Sequence, residues 1–369
     1  MPHRFKIPTD IYYGENCFDK LPKRLGAAGR AVAIVVSRSV YENYEEVCSL
    51  VDFCDITAKR HVLHVYEGGE PTLSSVETVR EGISDADVCV AIGGGSVLDA
   101  AKAACAVAHS PHMLEEHFRD GVALPDEHTE FIAVPTTSGT GTEVTPNSVL
   151  SDKDSHVKKS LRAKNMFPNV AFVDPGLTRY LPSQVAAASG ADALVQGLEA
   201  YLSRHASVLT DQLALKSVEL SSGSLEKVVA DNDEDFRAKL ALASLMAGMA
   251  FANSRLGAVH GVVHSIGVIS DTPHGVCCAA TIPHVMEMNR DSCREKFSVL
   301  ENMWGEDPVV FISRLMERIG MPSDLKHLKI EKDEREYLFE QCLPSGSLAA
   351  NPRRFDRADL DELFERLLW

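Results

Sequence analysis

Residues Val88-Cys-Val-Ala-Ile92, running straight into Gly93-Gly-Gly-Ser-Val-Leu-Asp-Ala-Ala-Lys102, decide the fold class. The first five are short, continuous and apolar, the pattern of a strand buried on both faces. The glycines let the backbone turn tightly and come close to a ligand. From Val97 to Ala108 the composition is helical, and a helix starting there points unpaired N–H groups and the positive end of its dipole at the turn. A pyrophosphate suits that spot. The stretch is neither G-x-G-x-x-G nor a P-loop, because no Gly-Lys-Ser/Thr follows, and three glycines alone also fit a plain tight turn. Asp99 and Lys102 lie one helical turn apart and read equally as a surface pair.

The same strand pattern recurs at Ala31-Val-Ala-Ile-Val-Val36, Phe131-Ile-Ala-Val134 and Val170-Ala-Phe-Val173. Helical stretches such as Ser74 to Ile83 lie between them, so the first half predicts βαβ units and a mostly parallel sheet. Phe5 to Pro8 and Ile11 to Tyr13 read as an antiparallel edge, or as strands exchanged with a partner. After Phe131–Val134 comes Pro135-Thr-Thr-Ser-Gly-Thr-Gly-Thr-Glu-Val-Thr145, rich in hydroxyls and glycine. As a mere turn it would cap a helix. Placed after a sheet strand, it reads better as a polar lining for phosphate, ribose or amide groups, because open α/β sheets bind ligands at strand ends.

The character changes near residue 180. Val185 to Ser203, Thr210 to Val229, Phe236 to Asn253 and Asp359 to Leu368 carry apolar residues at helical spacing, and no good strand follows Ser183. Two prolines bracket the turn-rich segment Asp174–Pro182. The expectation is an α/β domain over residues 1–180 that binds a dinucleotide, then an all-helical domain over 181–369 that binds metal and substrate.

The 369 residues include 37 basic and 53 acidic side chains, a net charge of −16. That balance argues against a nucleic-acid or anionic-membrane binder, which needs a basic face, and fits small-molecule partners. The start of the chain has no apolar stretch of signal-peptide length, and no run is long enough to span a bilayer. Nine cysteines are scattered without a C-x-x-C, so neither a disulfide framework nor a zinc–cysteine site is supported. Several, such as Cys89, read as small core residues. A cytoplasmic location is expected.

The second half contains Gly257-Ala-Val-His260-Gly-Val-Val-His264-Ser-Ile-Gly267 and then Asp271-Thr-Pro-His274-Gly275. His260 and His264 share one helical face. Upstream, Asp192 and Gln196 form a second i, i+4 pair. One carboxylate with several imidazoles is a divalent transition-metal set, although each histidine taken singly is equally a satisfied core or surface residue.

With these motifs the chain resembles the iron-containing (group III) alcohol dehydrogenase family over nearly its whole length. The resemblance rests on Pro8, Gly14, Pro71-Thr72, Gly93 to Lys102, Pro135 to Thr145, Asp174-Pro175, Gly190-Ala-Asp-Ala-Leu194, Gly257 to Gly275 and Asn351-Pro-Arg353. It implies a Rossmann-like α/β N-terminal domain and an all-α C-terminal domain, the dehydroquinate synthase-like fold. It further implies that Gly94, Gly95 and Ser96 bind pyrophosphate and that Asp99, Thr136, Thr137 and Lys158 surround the dinucleotide. Asp192, His260 and His274 match metal ligands, Fe²⁺ first and Zn²⁺ second, and His264 matches the histidine near the reacting carbon. The implied activity is hydride transfer between a nicotinamide and a small alcohol or aldehyde, by a homodimer or higher homo-oligomer.

Two departures bear on chemistry. The family has a histidine where this chain has Gln196, a weaker neutral donor, so Gln196 ligates directly, ligates through water, or leaves the site empty. Strand one ends Val36-Ser37-Arg38-Ser39 rather than in an aspartate that would repel a 2′-phosphate. Ser37 does not repel one and Arg38 can pair with one, which favours NADP(H) over NAD(H). A third difference is Glu70, where asparagine is frequent. The competing readings are a metal-free maleylacetate reductase-like enzyme, a lyase of the dehydroquinate-synthase type, and a non-catalytic dinucleotide-binding module.

Overall fold

The computed structural model describes residues 3–26, 30–57, 60–155 and 157–369. The chain forms two compact units. One comprises Ile7–Thr137 and Gly141–Tyr180; the other comprises Leu181–Trp369, Ser138–Thr140 and the N-terminal stretch ending at Lys6.

The first unit is built on strands β1 (Asp10–Tyr13), β2 (Val32–Ser37), β3 (His61–Tyr66), β4 (Val88–Gly93), β5 (Glu130–Pro135) and β8 (Val170–Val173). They form one sheet in the order β1-β8-β5-β4-β2-β3, and every pairing in it is parallel. The β-branched runs of β2 and β4 are buried along nearly their full length. Alternate residues face opposite sides. Ala33, Val35, Cys89 and Ala91 pack with α2 (Leu73–Ile83) and α3 (Gly95–Val107), while Ile34, Val36, Val90 and Ile92 pack with α1 (Glu45–Ile56). Both faces are thus covered by helices, as a parallel sheet requires.

The opening segment differs from the sequence reading. Ile11 to Tyr13 do form an edge, but β1 pairs parallel with β8, in register Ile11↔Ala171, and Phe5 to Pro8 form no strand. A parallel partner is available because β8 runs the same way at that side of the sheet. A hairpin of β6 (Asn147–Asp152) and β7 (Val157–Arg162) was also not anticipated. Its strands are short and polar, yet β6 alternates half-buried and buried residues, which is the period-two signature.

The second unit is helical, and among the described residues no strand follows Val173. Helices α4 (Ser183–Leu202), α5 (Val208–Asp231) and α6 (Glu234–Ser254) share a core through Leu194, Leu198, Val218, Leu225 and Leu240. Two further helices, α7 (Ala258–Ser270) and α8 (His274–Asn289), complete what positions the site. No helix among the described residues is long and apolar enough to cross a membrane.

Candidate functional site

In the α/β unit the chain leaves β2 toward β3 on one side and leaves β4 toward β5 on the other, so the order in which strands are added reverses between β2 and β4. Ligands bind outside the carboxyl ends of strands at such a switch point. Ser37 ends β2, Gly93 ends β4, and Gly93 pairs in register with Pro135 at the end of β5. The glycine loop and the threonine loop therefore leave neighbouring strands side by side. Thr136 N–H donates to the Gly93 carbonyl at 2.9 Å. A Cβ on Gly94 would stand 3.2 Å from Thr137 Cγ2, which narrows the space above the first turn of α3. Gly94, Gly95 and Ser96 are half-buried there, and a helix start leaves its first amides without intrahelical partners. This cradle fits a pyrophosphate.

Asp99 and Lys102 are not a surface pair. Lys102 is 1% exposed, and its Nζ donates to the Thr142 carbonyl and Oγ1 (both 2.6 Å), the Asn147 carbonyl (2.8 Å) and the Thr145 carbonyl (3.0 Å). Asp99 accepts from Thr142 Oγ1 and, at 2.9 Å, from the Val149 amide. The two side chains bolt the threonine loop and the β6–β7 hairpin to α3. Burial raises the Asp99 pKa and lowers that of Lys102 to about 8, Asp99 opposing the latter shift. Glu143, buried in the same loop, is pushed up to about 7 by burial, against its own backbone amide and Lys102.

Lys158 pairs with Glu70, which also accepts from Ser151 Oγ at 3.2 Å. The residue at which this chain carries an acid instead of asparagine thus neutralises a lysine expected at the dinucleotide. Arg38 is likewise engaged: Nε meets Glu67 at 2.8 Å and NH1 meets Glu42 at 3.4 Å, all three side chains being exposed.

In the helical unit three helices each contribute an i, i+4 pair: Asp192 and Gln196 from α4, His260 and His264 from α7, His274 and Cys278 from α8. Gly275 lets α8 approach, since a Cβ there would lie 2.0 Å from the Ala188 carbonyl oxygen of α4. His260 Nε2 is 3.2 Å and His274 Nε2 3.7 Å from Asp192 Oδ1. Cys278 Sγ stands 3.5 Å from His274 Nε2 and 3.6 Å from Asp192 Oδ1. These four donors all lie within 4.8 Å of one another. A carboxylate, two imidazoles and a thiol converging in a buried place suit a divalent transition cation. His264 stands beside them, its ring stacked on His274 with centroids 5.0 Å apart.

Gln196 takes a different part. Its Nε2 donates to Asp192 Oδ2 at 3.0 Å, while its buried Oε1 has no hydrogen-bond partner.

Two residues of this cluster escaped the sequence reading. Cys278 passes for a small core residue, yet it follows His274 by the same helical spacing that linked the other pairs. Glu199 lies on the Asp192–Gln196 face of α4, and its Oε1 accepts from the Val259 amide at 2.6 Å, capping the start of α7. Its Oε2 lies 2.6 Å from His260 Nδ1. That contact fixes the ring and leaves Nε2 toward Asp192, as a carboxylate behind a ligating histidine does. Burial alone would lower the His260 pKa, but Cys278, Glu199 and Asp192 outweigh it and hold the imidazole well above its ordinary value.

Residues 8–175 match the family model described as iron-containing alcohol dehydrogenase. Residues 186–368 match the C-terminal model of the Fe-containing alcohol dehydrogenase family. The chain is 30% identical over 382 residues to lactaldehyde reductase of Escherichia coli strain K12, covering 99% of each. It is 30% identical over 383 residues to NADPH-dependent butanol dehydrogenase of Clostridium saccharobutylicum, covering 98% of this chain and 97% of that one. The solved sulfoacetaldehyde reductase of Bifidobacterium kashiwanohense, in complex with NAD⁺, superposes with a TM-score of 0.90 at 28% identity, over 100% of this chain and 99% of that one.

Proposed function

The chain belongs to the iron-containing alcohol dehydrogenase family, and from that premise and the geometry above we propose how its own residues divide the work. It is an NAD(P)-dependent, metal-assisted oxidoreductase of alcohols and aldehydes. When bound, the nicotinamide gives or takes the hydride and a divalent cation supplies Lewis acidity toward the substrate oxygen.

The dinucleotide belongs to residues 1–180. Gly94, Gly95 and Ser96 offer backbone amides to the pyrophosphate, Thr136 and Thr137 line the neighbouring loop, and Ser37 closes the ribose side. Asp99 and Lys102 hold that loop in shape. Lys158 faces a phosphate only by giving up Glu70. In residues 181–369, Asp192, His260 and His274 hold the cation and Glu199 keeps the His260 ring oriented. His264, stacked beside the donors, carries the proton between the substrate hydroxyl and solvent.

The observation that carries this reading is the convergence of Asp192, His260 and His274 from three helices, with Glu199 bonded behind His260. The experiment is metal analysis followed by a panel of small aldehydes with each reduced cofactor. Chelation and His260→Ala should each abolish reduction, and a divalent cation should restore only the chelated parent. Full turnover after exhaustive chelation would instead favour the metal-free, maleylacetate reductase-like chemistry.

For the cofactor we favour NADP(H), because Arg38 stands at the end of β2 with no aspartate to repel a 2′-phosphate. A phosphate there must displace Glu67 and Glu42, so the expected preference is small, below about tenfold. Better use of NADH than of NADPH would refute it.

A further inference from the structure

We infer that Cys278 is the fourth protein ligand of the cation, that Gln196 is not a ligand, and that the resulting Asp192–His260–His274–Cys278 set selects Zn²⁺ over Fe²⁺. The inference rests on the metal reading above, and its test separates the two.

The first argument is geometric. A tetrahedral cation with bonds of about 2.0–2.1 Å to nitrogen or oxygen and about 2.3 Å to sulfur separates its ligand atoms by roughly 3.3–3.6 Å. Here the sulfur lies 3.5 Å from His274 Nε2, 3.6 Å from Asp192 Oδ1 and 4.0 Å from His260 Nε2. Asp192 Oδ1 lies 3.2 Å from His260 Nε2 and 3.7 Å from His274 Nε2. Five of the six separations thus stand close to those of a tetrahedron, and the sixth, between His260 and His274, is no more than 4.8 Å, so side-chain adjustments at the two imidazoles complete the site.

The second argument is what Gln196 does with its amide. Nε2, which has no lone pair to offer a cation, is the end bonded to Asp192 Oδ2. Turning the amide over would set Oε1 against that carboxylate oxygen, two acceptors face to face. In its present orientation Gln196 holds Asp192 by Oδ2 and leaves Oδ1 for the cluster, which makes it a positioning residue; its Oε1 is buried and hydrogen-bonded to none of these donors. The donor missing from α4 is thus replaced from α8.

The chemistry of the replacement sets the metal. The thiol binds as thiolate, its proton leaving to solvent as the S–metal bond forms. Two anionic ligands, Asp192 and Cys278, then balance the two charges of the cation. Thiolate is a soft donor that favours Zn²⁺ over Fe²⁺, in the same direction as the general affinity order of divalent metals.

The test uses the full chain stripped of metal and titrated with Co²⁺, a spectroscopic stand-in for Zn²⁺. One equivalent should produce the near-ultraviolet thiolate-to-Co²⁺ charge-transfer band. Cys278→Ala should lose the band and bind Zn²⁺ at least tenfold more weakly, whereas Gln196→Ala should keep the band. In competition, the parent should take Zn²⁺ over Fe²⁺ by tenfold or more, and Cys278→Ala should narrow that preference toward what the general affinity order alone gives. X-ray absorption of the Zn²⁺-loaded parent needs no variant and should find one sulfur at about 2.3 Å. A shell of nitrogen and oxygen alone, or a band that survives in Cys278→Ala, overturns the inference while leaving the metal site intact. Failure of the parent to take up either metal overturns the metal reading as well.

Discussion

Glu143→Gln should make the protein more stable, by an amount that grows with pH. Glu143 is 2% exposed, and burial pushes its carboxyl from the usual 4.5 to about 7. A carboxyl whose folded pKa lies above its unfolded value holds more protons in the native state between those two values. Its stabilising contribution is complete below about 4.5 and is lost as pH rises through 7. Glutamine keeps the shape without a group to ionise. The two pKa values bound the gain of the variant over the parent, between acid and mildly alkaline pH, at on the order of 3 kcal/mol. Lys102, held down to about 8 by burial, is partly held up by Glu143, so the loss of that attraction in the variant offsets part of the gain toward pH 8. Stability of parent and variant should be compared at about pH 5, 6, 7 and 8, so that titrations shared by the two cancel. A carboxylic-acid band present in the infrared spectrum near neutral pH should be missing from the variant. A stability difference that does not change with pH would refute the reasoning, because it would mean that Glu143 ionises as readily in the fold as outside it.

Glu199→Gln should weaken Zn²⁺ binding by roughly ten- to a hundredfold, since it replaces the acceptor behind His260 Nδ1; a Kd within twofold of the parent, read by chelator competition, would show that the ring needs no such support. Glu70→Gln should free Lys158 from its ion pair and tighten dinucleotide binding several-fold, more so at low salt; an unchanged Kd at both salt concentrations would remove Lys158 from the cofactor site. Gly94→Val should raise the dinucleotide Kd tenfold or more while costing little stability, because the new side chain fills the cradle and meets Thr137, 3.2 Å from the position of a Cβ. Undiminished binding would place the pyrophosphate elsewhere.

The central strands were legible because burial on both faces writes itself as an uninterrupted apolar run, as in β2, β4 and β5. The edge strand β3 was not, since His61 to Tyr66 mixes imidazoles with apolar residues and is mostly half-buried. The β6–β7 hairpin was hidden for another reason: Ser148 and Val149 of β6 donate to Asp99, and Ser151 to the Pro71 carbonyl, partners far off in the chain. The burial of Lys102 was not legible, because lysine belongs at the surface unless acceptors surround it. Its four acceptors lie 40 to 45 residues downstream, a distance no local pattern spans.

The site shows the same limit more sharply. Helical spacing paired Asp192 with Gln196 and His260 with His264, and by the same spacing His274 pairs with Cys278. What spacing cannot supply is the rotation of each helix about its own axis, and that rotation decides which member of a pair faces the others. Read along one helix, the change from histidine to Gln196 looks like a lost ligand. With α4 and α8 brought together by Gly275, the loss on one helix stands within reach of a thiol on the other, 3.6 Å from the same carboxylate oxygen. A donor set belongs to a place in space, so a substitution that weakens it on one element is understood only together with the residues that other elements bring to that place.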